Sequence, residues 1–125
     1  MSFNRGYIII FSKNIINSML NTNIMVKSLY NDAELQKIST IFNALSNKSR
    51  LQILLMLIET KRPLHIKAVA KNLQLDYGAV YRHVEVLKKA KLLEVYEVGR
   101  SRVLSPFNIE FIKQLIEQVK NKVPS

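Results

Sequence analysis

From Asn31 onward the apolar residues fall at helical spacing. Leu35, Ile38, Ile41, Phe42 and Leu45 share one stripe, the pattern of an amphipathic helix. Asn31-x-x-Glu34 stands at its start as a capping box. A second helix is predicted from Arg50 to about Thr60, with Asn47 as its N-cap. Leu51, Leu54, Leu55 and Ile58 lie on one face of it and Ile53 and Leu57 on the other, so it belongs in the centre of the fold. Lys61-Arg62-Pro63 breaks the chain. A third helix, Ile66 to about Asn72, turns Val69, Ala70 and Leu73 inward. Gln74-Leu75 form a turn, and Asp76 caps a fourth helix running from Tyr77 to about Lys89.

The period then shortens to two. Leu92 to Tyr96 and Arg102 to Leu104 alternate as strands joined by a turn containing Gly99. Asn108 is placed as the cap of a last helix, with Ile109, Ile112, Leu115, Ile116 and Val119 on one stripe. The expected fold is mainly α with a small β-hairpin, five helices in one domain over residues 31–122. Residues 1–30 have no clear helical period and form an N-terminal extension. It is read as a loose arm, an added dimer contact or a mis-assigned leader, with Met19 and Met25 as alternative starts.

Charge sharpens this picture. Nineteen basic against nine acidic residues give +10, which favours anionic partners such as nucleic acid or an acidic membrane surface over a merely soluble surface. Cysteine is absent, which excludes disulfides and thiolate metal sites. Two histidines, His65 and His83, do not make a metal site alone, and no cofactor is expected. No apolar run reaches the roughly 20 residues of a membrane span, and the short run Tyr7–Phe11 lacks the cleavage site of a signal peptide. A cytoplasmic protein without a membrane partner is expected. No phosphate-binding glycine loop, nucleophile–base pair or carboxylate cluster supports an enzyme.

Candidate chemistry concentrates in residues 73–105. On the fourth helix Val80, Val84 and Leu87 are spaced to face the core. The opposite side, at 100° per residue, carries Gly78, Arg82, Glu85 and Lys89, flanked by Tyr77, Tyr81 and Lys88. A helix entering the major groove by its N-terminus sets its first two turns against base edges, here Tyr77, Gly78, Tyr81 and Arg82. Arg82 suits the O6/N7 edge of guanine. The tyrosines either donate to phosphate and touch thymine methyls or simply cover apolar surface. Gly78 costs about 1 kcal/mol in a helix relative to alanine, which close approach of the backbone to DNA would explain. His83, on the side of the helix, is a packing or phosphate residue, and Glu85 a solvated one. In the hairpin, Arg100 and Arg102 flank Ser101 at a protruding tip and suit the minor groove or its phosphates. Lys67 completes the DNA-binding set.

These pieces together resemble the arsenical-resistance-repressor (ArsR) family of winged helix-turn-helix transcription regulators, particularly its archaeal members. The resemblance covers residues 38–106. It is carried by Ala44-Leu45-Ser46-x-x-x-Arg50, by Leu73-x-Leu75-x-x-x-x-Val80-x-Arg82-His83-Val84-x-x-Leu87, and by the wing VYEVGRSRVLSP. It implies a homodimer built from the first and last helices through Leu35, Ile38, Ile41, Phe42, Ile112, Leu115, Ile116 and Val119. It further implies recognition helices in successive major grooves of double-stranded DNA, about 34–36 Å apart on a pseudo-palindromic operator. A repressor is favoured over an activator, and no residue names an effector. Three departures stand out. The cysteines and last-helix histidine of metal-sensing members are missing, the family's usual glycines are replaced by Gln74 and Lys91, and residues 1–30 have no counterpart. The rival reading is a winged-helix interaction module of the transcription machinery without its own operator. A basic RNA binder is disfavoured because no sheet exposes aromatic residues.

Overall fold

The computed structural model describes residues 30–125, so the expectations for the N-terminal extension lie, but for Tyr30, outside the described residues. The elements are α1 (Asp32–Leu45), α2 (Lys48–Thr60), β1 (Leu64–His65), α3 (Ile66–Leu73), α4 (Tyr77–Lys89), β2 (Leu93–Val98), β3 (Ser101–Pro106) and α5 (Ile109–Lys122). The chain divides into two compact units, Met1–Ile38 and Ser39–Ser125. In the first, the capping box forms as its spacing predicts. The Glu34 amide donates to Asn31 Oδ1 at 2.8 Å, and the Asn31 amide donates to Glu34 Oε2 at 3.0 Å.

The second unit holds the core. Ile53, Leu54 and Leu57 of α2 have no exposed surface, as expected for a helix apolar nearly all round. Around them pack Val69 of α3, Val80, Val84 and Leu87 of α4, Leu104 of β3 and Ile112 of α5, all fully enclosed. Asn47 caps α2, accepting from the Arg50 amide at 3.1 Å. Arg50 then turns back on the end of α1. Its Nε donates to the Ala44 carbonyl at 2.7 Å and its Nη2 to the Asn43 carbonyl at 2.9 Å, satisfying carbonyls that a helix end leaves unpaired. The Arg50 of the family-like Ala-Leu-Ser-x-x-x-Arg segment therefore has a structural task.

The sheet runs in the order β1-β3-β2 with both pairings antiparallel. β2 and β3 pair along their whole length, from Leu93 opposite Pro106 to Val98 opposite Ser101. β1 contributes only Leu64 opposite Leu104 and His65 opposite Val103. Too short for an alternating pattern, β1 has no counterpart in the sequence reading. The hairpin loop is Gly99-Arg100, and Gly99 adopts φ 62°, the sign that a two-residue hairpin turn requires at its first central position.

Two expectations are corrected. Ile112 is unavailable to a partner chain, because the inner edge of the α5 stripe is enclosed in the protein's own core. Ile41 likewise packs partly against that core. Asn108 precedes α5 but does not cap it by its side chain, since it sits at φ 56°, ψ 43° rather than in the extended backbone a capping residue adopts. Gln74 and Lys91, standing where the family resemblance expects glycine, are also left-handed, at φ 54° and 59°. The fold thus keeps the glycine-type backbone without the glycine.

Candidate nucleic-acid interface

Two helix ends fix the helix-turn-helix. At the close of α3 the Gln74 and Leu75 amides fold back, the latter donating to the Ala70 carbonyl at 3.0 Å, a closure that needs the left-handed residue at Gln74. Asp76 then opens α4, its carboxylate accepting from the Ala79 amide at 3.2 Å. Gly78 has a local reason to be small, because a Cβ there meets the Asp76 carboxylate at 3.1 Å. The glycine leaves room for the cap.

With Val80, Val84 and Leu87 buried, α4 turns Tyr77, Tyr81 and Arg82 outward. Arg82 has no ion-pair partner among the described residues. His83 is half-buried on the side of the helix, its Nδ1 3.4 Å from Arg50 Nη1. Burial, and then the charges of Arg50 and Arg82, hold its pKa below the ordinary histidine value. Of its two expected roles, this contact supports packing.

The short strand β1 has a large consequence. By pairing His65 with Val103 it hangs the start of α3 on the wing. A cleft of roughly 270 Å³ opens there, lined by His65, Lys67, Tyr77, Arg100, Ser101 and Arg102 among others. Four of the residues predicted from sequence, Lys67, Tyr77, Arg100 and Arg102, are thus brought to one place from three elements. His65 and Ser101 join them, and nothing short of the strand pairing marks His65 for this position. No side chain caps the N-terminus of α3, and the positive end of its dipole lies beside the basic residues.

Arg102 departs from expectation. It does not stand free at the tip but turns back onto α4. Its Nη1 donates to the Tyr81 hydroxyl at 2.8 Å, its Nη2 to Glu85 Oε1 at 2.7 Å, and its guanidinium carbon lies 4.5 Å from the centre of the Tyr81 ring. Its side chain is 19% exposed. Burial opposes the charge, but the Tyr81 and Glu85 contacts outweigh it and raise the pKa further. Glu85, expected to be solvated, is the other half of this ion pair. Arg100 remains exposed at the tip.

A second surface is apolar. A groove of roughly 500 Å³ runs between the end of α1, α2 and α5, lined by Phe42, Leu45, Leu51, Leu55, Leu115, Ile116 and Val119 among others. Phe42 and Val119 are 57% and 56% exposed. Leu35 and Ile38, in the first unit, are also exposed. Among the described residues no group of three or more His, Cys, Asp or Glu is placed to hold a metal, and no helix is long and apolar enough to cross a membrane.

Solved structures share this fold. One is the homodimeric winged helix-turn-helix DNA-binding domain Mb0332 from Mycobacterium bovis, described as a possible ArsR-family transcriptional regulator. It is 21% identical with a TM-score of 0.65, over 77% of this chain and 92% of that one. NolR from Sinorhizobium fredii is 22% identical with a TM-score of 0.60, over 70% of this chain and 86% of that one. HlyU from Vibrio cholerae, in its reduced form, is 22% identical with a TM-score of 0.58, over 75% and 96%. At these identities the likeness establishes the winged helix-turn-helix fold, with β2–β3 as the wing and α4 as the second helix of the helix-turn-helix. No curated protein matches the sequence. The HVO_A0114 family matches residues 45–110, from the end of α1 through the helix-turn-helix and wing to the start of α5, and the chain belongs to that family.

Proposed function

We infer that the protein is a sequence-specific, double-stranded-DNA-binding transcription regulator that acts as a homodimer on a pseudo-palindromic operator, as a repressor rather than an activator. The observation that carries this reading is the joining of the exposed outer face of α4 to the basic cleft under the wing. Tyr77, Gly78, Tyr81 and Arg82 form the reading edge. Lys67, Arg100 and the uncapped N-terminus of α3 surround a place for a phosphate, which a helix N-terminus and cations both favour. His83 supports the edge from the side. A similar solved structure, Mb0332, is a homodimeric DNA-binding domain, which supports the same reading.

The homodimer is proposed on the apolar groove, through Phe42, Leu115, Ile116 and Val119, with Leu35 and Ile38 as further contacts. Apolar groups gathered as they are in the groove mark an association surface rather than a solvated one. Two copies joined there present two recognition helices, matching two half-sites about 34–36 Å apart.

Selection of bound sequences from a random duplex library, read at two salt concentrations, tests the reading. Enrichment of a pseudo-palindrome with affinity falling steeply as salt rises is expected, because phosphate contacts release counterions. Binding without enrichment removes the operator from the proposal. No salt-dependent binding at all favours the interaction-module reading instead.

A further inference from the structure

We propose that Arg102 and Glu85 are positioning residues that hold the wing against the recognition helix, Arg102 itself making no contact with a phosphate. The proposal rests on the DNA-binding reading above and concerns how that surface is shaped.

The sheet explains why a clamp is needed. β1 supports β3 only at Val103 and Leu104. Beyond Val103, toward the tip, the wing is a two-stranded ribbon pairing Glu97 with Arg102 and Val98 with Ser101. Such a ribbon is marginal alone, and its angle to the rest of the domain is not set by the ladder. Arg102 is the first residue of β3 outside the three-stranded part. From there it reaches α4 and engages Tyr81 and Glu85, four residues apart and therefore on one face of the helix. Each of its two terminal nitrogens gives one hydrogen bond, one at 2.8 Å to a hydroxyl and one at 2.7 Å to a carboxylate, the second of them charge-assisted. The N–H groups that remain belong to a side chain only 19% exposed, with its Nε enclosed, and a phosphate approaching them would meet the Glu85 carboxylate.

Two consequences follow. Arg100, two residues away at the tip, is carried at a fixed distance from the recognition helix, so base contacts and wing contacts are made in register. The Tyr81 hydroxyl accepts from Arg102, which leaves its own proton to be donated elsewhere. Glu85 thereby acquires a reason to stand on a helix face that otherwise favours cations.

The test uses a labelled random-sequence duplex with the full chain and its variants Glu85→Gln, Arg102→Ala, Arg102→Lys and the double variant Glu85→Gln/Arg102→Ala. Thermal unfolding checks that each is folded. On pure charge grounds Glu85→Gln should tighten binding. The clamp predicts the opposite, a loss of roughly five- to tenfold, with the double variant no worse than Arg102→Ala because the two residues act together. Arg102→Lys keeps the charge but not the paired geometry, and it should lose nearly as much as Arg102→Ala. The salt slope should stay at the wild-type value in all four. Tighter or unchanged binding by Glu85→Gln, retained affinity in Arg102→Lys, or a slope reduced by about one in Arg102→Ala, as for a lost phosphate contact, overturns the proposal. If the wild-type chain binds no duplex, the DNA-binding reading fails first, an outcome distinct from all of these.

Discussion

The surface formed by α4 and the wing is held in shape by polar contacts, whereas the groove between α1, α2 and α5 is lined mainly by aliphatic and aromatic side chains. On the first surface several groups are held by directional bonds. Asp76 caps α4, Arg102 is tied to Tyr81 and Glu85, and His83 faces Arg50. Hydrogen bonds are directional, so this surface suits a partner whose charges stand at fixed positions. The groove has area and little direction, and it suits a partner that covers it. A difference of material thus separates the proposed recognition surface from the proposed association surface.

The largest effect that sharpens this comparison is on stability. Ile112 and Val119 lie on the same stripe of α5, but only Ile112 is enclosed. Ile112→Ala should destabilise by about 2–5 kcal/mol in denaturant unfolding, whereas Val119→Ala should stay within about 0.5 kcal/mol in the monomer. Similar losses at both positions would put the boundary between core and association face in the wrong place.

Next, charging the groove should separate association from folding. Phe42→Lys with Val119→Lys should leave a folded monomer by sedimentation. Its affinity for an operator carrying two half-sites should fall roughly a hundredfold or more, because the second half-site is no longer bound intramolecularly. A dimer that survives both charges rules out this groove as its interface.

On the polar surface the largest single effect is expected at Arg82. Arg82→Ala should relax discrimination at one base pair of each half-site by about 1–3 kcal/mol, read from a second sequence selection. An unchanged preference would assign reading to other residues of α4. A smaller effect of opposite sign concerns the backbone. Lys91→Gly removes a side chain from a left-handed position and should stabilise by about 0.5–1 kcal/mol, the relief of the left-handed cost less the added freedom of the unfolded chain. A lower melting temperature in that variant contradicts the strain assigned to this position.

The smallest effect is the pH dependence of the His83 contact. Its pKa is lowered in the folded protein by burial and then by Arg50 and Arg82. The unfolded chain therefore takes up the proton first as pH falls. The contribution is fully present above the ordinary histidine value and is lost as pH drops toward the folded-state pKa. Melting temperatures followed from neutral to mildly acidic pH should fall more steeply for the wild-type chain than for His83→Asn. Parallel curves would mean that His83 titrates alike in both states.

What was legible in the sequence was local. α4 begins at Tyr77 and ends at Lys89 as read, because the Asp76 cap, the apolar period and the basic end lie within one short segment. Its buried positions Val80, Val84 and Leu87 followed from periodicity alone. Two strands with a glycine turn were also plain, since alternation and a turn residue are short-range features, although each strand runs two residues further than read, to Val98 and Pro106.

Whatever depended on residues far apart in sequence was decided by the tertiary structure. Glu85 and Arg102 stand 17 positions apart and Arg50 and His83 stand 33 apart, and no periodicity links either pair. The two-residue β1 has too few positions to show a pattern, yet its pairing with β3 sets His65 and Lys67 beside the wing. Ile112 illustrates the same limit on an apolar stripe. Helical spacing says that Ile112, Leu115, Ile116 and Val119 share a face, but only the packing of α5 decides which edge of that face the core takes. The sequence by itself determined the five helices, the hairpin, their order and the apolar stripe of each helix, because those follow from bonding and side-chain spacing along a short stretch of chain. The tertiary structure decided which charged groups meet and which apolar groups remain uncovered, because these depend on distances in space that local patterns do not encode.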